Sequence, residues 1–406
     1  MQTRTFQLEP FVGELTGRTE SLLTPDLKKY SDQLTAAIQG KRVLVLGGAG
    51  TIGSSFVKAI SAYEPGALMV VDINENGLTE LVRDLRSTPD LRLPEDFRFY
   101  PMNLGDNAFR KLFLQSERFD IVANFAAHKH VRSEKDRFSI EAMIDNNVFR
   151  AKHFLDLLHA KHPSHFFCVS TDKATRPVNI MGASKSLMER MIFCYAKSFP
   201  VTTARFANVA FSNGSLLDGF LNRLAKGQPI SAPSDVKRYF VSPVESGQIC
   251  MLACLLAKSG EICFPKLDLH RDLLTFSEIA ERFLHAMGLV PQPCQSEEEA
   301  RQRAKMRRTS DREYPVYFFG SDTSGEKPVE EFYTQNEVID WDRFQSLGVI
   351  KNVQVGTIEQ ANHIAEDIRQ FFTAECLDKS AIVKKLCEYI PDFAHDERGK
   401  NLDQKM

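Results

Sequence analysis

The chain has 406 residues, enough for two or three domains and a sizeable buried core. Its 51 Lys and Arg against 53 Asp and Glu give a net charge of −2, so bulk charge recruits neither nucleic acid nor an anionic membrane. The 8 cysteines are scattered without a CxxC pair, the usage expected of reduced, buried thiols in a cytoplasmic protein. No apolar run reaches the ~18 residues of a membrane span, and the first residues, Met1 to Phe6, contain no apolar signal core.

Residues 1–40 read as a polar helical extension, with a periodic segment opening at Pro25 and running to Ile38. The pattern then changes to strands alternating with helices. Arg42–Leu46 enters a glycine-rich turn, and a helix follows from Ser54. Leu68–Asp72 is a second strand, Asn76–Arg86 a second helix, and Phe97–Tyr100, Ile121–Phe125 and His165–Ser170 are further strands. Such alternation predicts an α/β fold, a doubly wound parallel sheet of Rossmann type over residues 41–205. Beyond Val201–Arg205 the alternation loosens. Residues 206–345, with turns at Ser212–Ser215 and Gly227–Pro229, suit a smaller mixed substrate-binding region interleaved with the sheet. Residues 346–406 predict two helices between Gly356 and Tyr389 and a disordered tail after Asp392. The alternating charges of Glu297–Arg308 read as a solvated helix, with Glu297–Arg301 and Glu299–Arg303 pairs. Cys250 and Cys254, one turn apart in an apolar stretch, read as core, and no metal site is expected.

Gly47, Gly50, Thr51, Ile52 and Gly53 follow a strand and open a helix, the arrangement that seats a pyrophosphate on a helix N-terminus. Asp72 ends the second strand, where a carboxylate accepts the adenosine ribose hydroxyls and repels a 2′-phosphate. Ile73, Asn74 and Glu75 bring no cation to welcome that phosphate, so NAD is favoured over NADP. Asn103 and Leu104, past the third strand, are candidates for the adenine end. Ala126 and Ala127, past the fourth, are small enough for the nicotinamide ribose and diphosphate to lie against backbone. Lys185 is a candidate for the nicotinamide ribose hydroxyls.

The fifth strand ends in Ser170-Thr171-Asp172-Lys173-Ala174, and Met181-Gly182-Ala183-Ser184-Lys185 follows a short loop later. Reductases on such a sheet place a tyrosine four residues before the lysine. Met181 holds that place here, and a thioether cannot move a proton. An acid and an amine, Asp172 and Lys173, stand side by side upstream.

Taken with residues 126–131, 205–209 and 237–240 and with Ser324–Phe332, these motifs resemble the nucleotide-sugar 4,6-dehydratases of the extended short-chain dehydrogenase/reductase superfamily. The polysaccharide-biosynthesis type acting on UDP-N-acetylglucosamine is the group indicated. The likeness runs from about residue 11 to about residue 340. Phe11–Arg18 resembles the segment that joins membrane helices to the catalytic domain in longer relatives, so the chain looks like a soluble short form.

The resemblance implies a lyase reaction in three stages: oxidation at sugar C4, loss of the C5 proton and C6 hydroxyl as water, and return of hydride to C6. Thr171 is then the residue that bonds the C4 oxygen. Asp172 is the acid, its pKa expected to rise by burial, and it inherits the tyrosine's duty. Lys173 is the C5 base, its pKa expected to fall beside cations such as those of His128 and Lys129. His128, Lys129, Met181 and Asn208 are expected around the sugar, Arg238 as a diphosphate clamp, and Glu326 on the uridine ribose. The family's usual arginine two residues before Gly325 is Thr323 here, and Arg271 is a candidate to replace it. A homo-oligomer is expected, the helix Ser184–Lys197 being apolar enough for an interface or for burial. Met181 points to retention at C5. A 4-epimerase and a catalytically silent nucleotide-binding protein are the competing readings.

Overall fold

A computed structural model describes residues 6–268, 272–322, 324–327 and 329–397. Arg271 and Thr323 lie outside these described residues.

A large sheet forms the centre. In chain order its first strands are β1 (Arg42–Leu46), β2 (Ala67–Asp72), β3 (Asp96–Pro101), β4 (Ile121–Asn124), β5 (His165–Val169) and β6 (Val201–Ala204). Their spatial order is β3-β2-β1-β4-β5-β6, all parallel. Glu261–Pro265 continues the sheet in parallel, and Leu347–Ile350 and Ile339–Asp340 close it antiparallel. The chain reverses direction between β1 and β4, which opens a crevice at the carboxyl ends of the strands. β1, β5 and β6 are buried on both faces apart from the first residues of β1 and β5, as parallel strands sandwiched by helices must be. The helix Pro243–Leu256 is apolar all round and lies directly against Thr51–Ser61. A Cβ on Gly247 would stand 2.3 Å from the Ser55 backbone, so only glycine permits that approach.

A second core lies over the crevice, built by Phe211, Phe220, Phe283, Tyr314 and their neighbours, with Phe11, Val12 and Leu15 of the N-terminal helix Leu8–Thr16 inside it. Each such side chain contributes about 1.5–3 kcal/mol when fully buried. Arg18 fastens this helix by two hydrogen bonds to Glu245, at 2.9 and 2.8 Å, and another to the Phe240 carbonyl. Residues 6–40 therefore divide between two cores, since Leu23, Leu34 and Ile38 join the sheet's core. The acidic-basic run forms the helix Glu297–Met306, with Glu297–Arg301 at 2.9 Å and Glu299–Arg303 at 2.7 Å.

The bounds of one expected helix shift, and the expectation for the tail needs correction. The helix expected at Ser184–Lys197 spans Ile180–Phe193, and all its residues but Ser186 and Arg190 are buried within this one chain. The segments Arg137–Ala160 and Lys379–Tyr389 cover it, so its apolar surface is already occupied without a second copy. The tail after Asp392 is ordered as far as residue 397. Phe393 is buried, Ala394 and Asp396 donate backbone hydrogen bonds to Pro177 and Val178, and Asp396 accepts one from Gly325. These bonds tie residues 394–396 to the Pro177–Val178 and Gly325 loops. The signal was only polar composition, which does not reveal backbone pairing.

Among the described residues no helix is long and apolar enough to cross a membrane, and no group of three His, Cys, Asp or Glu side chains is placed to hold a metal.

Candidate active site

A cavity of about 550 Å³ runs along the crevice, lined by Gly47, Gly50, Thr51, Ile52, Gly53, Asp72, Asn103, Leu104, Ala126 and Ala127 at one end. At the other are His128, Lys129, Thr171, Lys173, Met181, Lys185 and Asn208. Asp172, Arg238 and Glu326 stand outside this lining.

The glycine turn is shaped by contact. Gly47 has φ +71°, and a Cβ there would meet the Ala126 nitrogen at 2.5 Å, while one on Gly53 would meet the Gly47 oxygen at 2.2 Å. The turn can therefore pack against the end of β4 and start the helix Thr51–Ser61 with its N–H groups facing the cavity. Asp72 spends both carboxylate oxygens on this loop system, accepting from Ala49 N at 2.9 Å and from Asn74 N at 2.8 Å. Its remaining lone pairs are available to hydroxyl donors. Asn103 uses its Oδ1 to hold Gly105 N at 2.9 Å. The exposed Ile73 and Met102 also line this end, an apolar wall that the sequence reading missed.

Past β4, Lys129 donates to the Asn213 carbonyl at 2.9 Å, and Thr51 Oγ1 accepts from Asn213 N at 2.9 Å, closing the 212–214 loop over the cofactor end. Burial lowers the pKa of His128, Lys129 and His130, the cations nearby adding to the effect on both imidazoles. Asn147 was also missed. It sits in a π-helical turn, Asp145–Arg150, and binds both the N–H and carbonyl of His128 (2.8 and 2.9 Å) and Ser184 Oγ (2.9 Å). An inserted residue in an otherwise regular helix leaves no periodic signature to find, yet such turns recur at functional sites.

On the opposite wall, Asn179 caps the helix Ile180–Phe193 through Gly182 N at 2.7 Å. A Cβ on Gly182 would lie 2.3 Å from the Lys173 carbonyl oxygen, so glycine lets Met181 and Lys173 share one surface. Lys185 donates to the Val169 carbonyl at 2.7 Å, and burial lowers its pKa. Asp172, 2% exposed, lies behind Thr171 and Lys173 and accepts from both at 3.0 Å through Oδ1. Lys173 reaches Asn208 at 3.5 Å. The expected fall in the Lys173 pKa is not found. Burial does pull it down, but Asp172 and Glu330 outweigh burial and raise it, and Lys129 is turned away to Asn213.

Arg238 is buried, its guanidinium on the carbonyls of Lys237 and Lys327, both at 2.9 Å, and 3.8 Å from Glu330. Glu326 accepts from the Ser321 hydroxyl. Glu330 and Lys327 were not singled out in the sequence, and both belong to this charged group behind the cavity wall.

Residues 43–352 match the family described as Polysaccharide biosynthesis protein. The chain belongs to that family. Within it, the chain is similar to an uncharacterized membrane protein of Methanocaldococcus jannaschii, 31% identical over 62% of this chain and 74% of the relative. It is also similar to the capsular polysaccharide biosynthesis protein CapD of Staphylococcus aureus, 30% identical over 62% of this chain. That alignment spans 41% of CapD, so the chain matches less than half of this family member's length. The dTDP-glucose 4,6-dehydratase DesIV of Streptomyces venezuelae, solved with NAD and TYD bound, shares the fold with a TM-score of 0.54 at 20% identity. The match covers 72% of this chain and 88% of that one. The fold of this family member is thus that of the extended short-chain dehydrogenase/reductases, a large mostly parallel sheet with smaller mixed sheets beside it.

Proposed function

We propose that this chain is a nucleotide-sugar-modifying enzyme of polysaccharide biosynthesis, and specifically an NAD-dependent 4,6-dehydratase converting UDP-N-acetylglucosamine to its 4-keto-6-deoxy product. The observation that carries this reading is the hydrogen-bonded set Thr171–Asp172–Lys173, which faces the same cavity wall as Met181, where an oxidoreductase would need a proton-moving side chain.

The cavity's cofactor end suits a dinucleotide. Gly47, Gly50 and Gly53 leave room for a pyrophosphate against backbone at a helix N-terminus. Asp72 and the lack of a cation at residues 73–75 favour NAD. Lys185, in the cavity lining, would reach the nicotinamide ribose. Held by the turn at residues 47–53 and by Asp72, NAD would supply the hydride acceptor for C4 and the hydride donor for C6.

The chain's own residues move the protons. Thr171 reaches the C4 hydroxyl and relays its proton to Asp172 through their 3.0 Å hydrogen bond. Protonating Asp172 removes the nearest anion from Lys173, which lowers the lysine's pKa and favours loss of its ammonium proton to solvent. The free amine then takes the C5 proton. Through Thr171, Asp172 delivers the stored proton to the departing C6 hydroxyl, which leaves as water, and Lys173 returns its proton to C5. Delivery and return from one wall support retention at C5. Asn208, His128 and Lys129 would surround the sugar, whereas Arg238, buried on the Lys237 and Lys327 carbonyls, is not free to clamp a diphosphate in this arrangement.

Incubation with UDP-N-acetylglucosamine in deuterated water, followed by NMR, tests the reading. A 4-keto-6-deoxy product with deuterium at C5 is the expected result. Formation of UDP-N-acetylgalactosamine alone, without solvent label, would overturn it in favour of an epimerase, and absence of any product would point to a silent protein.

A further inference from the structure

Val329 and Phe332 anchor the segment after Gly325 in the sheet's core, Phe332 packing on Tyr239 at 5.5 Å. Between them, Glu331 points outward to Arg176, while Glu330 points inward and is 4% exposed. Its carboxylate is in an unusual position. Lys173 and Arg238 stand 3.8 Å from Oε1 and Lys327 stands 3.8 Å from Oε2, all beyond hydrogen-bond length. Oε2 finds no hydrogen-bond donor among the described residues. Burying a carboxylate with so few bonds is unfavourable, so packing alone gives no reason for a glutamate here. The surrounding charge does give one. Among the described residues Lys173, Arg238 and Lys327 are three cations drawn together; Asp172 and Glu330 both act on Lys173, and Glu331 acts on Lys327 as well.

We propose that Glu330 is a positioning residue that acts through Lys173, its charge fixing both the place and the protonation of that amine from behind the cavity wall. The proposal rests on the reading of Lys173 as the C5 base. Asp172 holds Lys173 only while it is itself ionised, and it changes charge during the cycle proposed above. Glu330 touches no part of the cavity, so its charge is the constant partner. It keeps Lys173 from being expelled by Arg238 and Lys327 when Asp172 is protonated. Burial raises the Glu330 pKa most and Asp172 adds to it, so it stays raised against the three cations that lower it. Protonating Asp172 removes that like charge and favours the Glu330 anion, while Lys173 is raised by its carboxylates.

The test reads Lys173 directly and requires no sugar. The full chain is labelled with acetic anhydride across the pH range, and modification of Lys173 is quantified by peptide mass spectrometry against the exposed Lys305. In Glu330→Gln the pH of half-labelling at Lys173 should fall by about 1–3 units, the range typical of losing one opposite charge at this distance. Glu330→Asp keeps the charge but withdraws it by one methylene, so its curve should lie between the two. That variant carries the test should Glu330→Gln fail to fold. A Lys173 curve unmoved in the folded variants would overturn the proposal. In turnover the acid limb of kcat should shift in the same order. An inactive chain would sink the dehydratase reading and leave the labelling result to decide on Glu330 alone.

Discussion

Asp172 accepts a hydrogen bond from the Lys173 ammonium at 3.0 Å, and it does so from a buried place behind the cavity surface that Lys173 lines. The acid thus meets the substrate only through its neighbours, Thr171 in particular. Substitution Asp172→Asn keeps the shape and removes both the proton store and the anion that holds Lys173. Turnover should drop by about 10²–10⁴-fold, the usual worth of a positioned acid or base. NAD affinity, measured by fluorescence titration, should be unchanged, because Asp172 is remote from the glycine turn. Near-normal turnover with the asparagine would remove Asp172 from the mechanism.

Met181 is 3% exposed in the first turn of its helix and packs against Lys173's segment through Gly182. A thioether there contributes shape. Met181→Leu should therefore alter stability by less than about 1.5 kcal/mol, as volume-conserving swaps do, and keep turnover within the same order of magnitude. Steady-state kinetics on the leucine variant decide this. A loss of a hundredfold would mean that the sulfur does more than fill space.

The first strands of the sheet and the glycine turn between β1 and its helix were legible because their signals are local. β1 runs straight into a glycine turn, Asp72 closes β2, and each strand lies where its apolar run predicts. The lysine cluster was half legible. Asp172 and Lys173 are adjacent in sequence, but Glu330 comes from a segment more than 150 residues later, and nothing local says that it faces inward while Glu331 faces out. The resulting error was one of sign: cationic neighbours were expected to depress the Lys173 pKa, whereas two carboxylates raise it. The tail misled for a similar reason. Its polar residues 394–397 gain order from backbone bonds to Pro177, Val178 and Gly325, partners that only the fold brings near.

Arg205 directly follows β6 and is buried between two carboxylates, Glu189 at 2.9 Å and Glu337 at 2.9 Å, with the Phe332 carbonyl at 3.0 Å. Glu189 also accepts from Ser170, the residue before Thr171, at 2.5 Å. Removing the cation leaves Glu189 buried without its charge partner. Arg205→Ala should cost about 3–5 kcal/mol, read as a lower urea midpoint. Adding Glu189→Leu should recover part of that loss by removing the stranded carboxylate. A single variant as stable as the unaltered chain would show that the buried network is dispensable.

His165, at the start of β5, has its pKa lowered by burial, with the Cys254 backbone and Asp120 opposing. A lowered value means that the unfolded chain binds the proton more readily than the folded one. The stabilising contribution of the neutral imidazole is therefore complete above the ordinary histidine value of 6.5 and is lost as pH falls through the folded value. Each pKa unit of difference is worth about 1.4 kcal/mol at full effect. His128 and His130 are shifted in the same direction, but both are exposed, and solvent screening leaves them a small share of the slope. Melting temperatures of the unaltered chain and of His165→Gln, compared from pH 7.5 down to 5.5, isolate the His165 part. The unaltered chain should lose stability faster on acidification, so the gap between the two narrows as pH falls. A gap that stays constant or widens would mean that this imidazole titrates as freely in the fold as in the open chain.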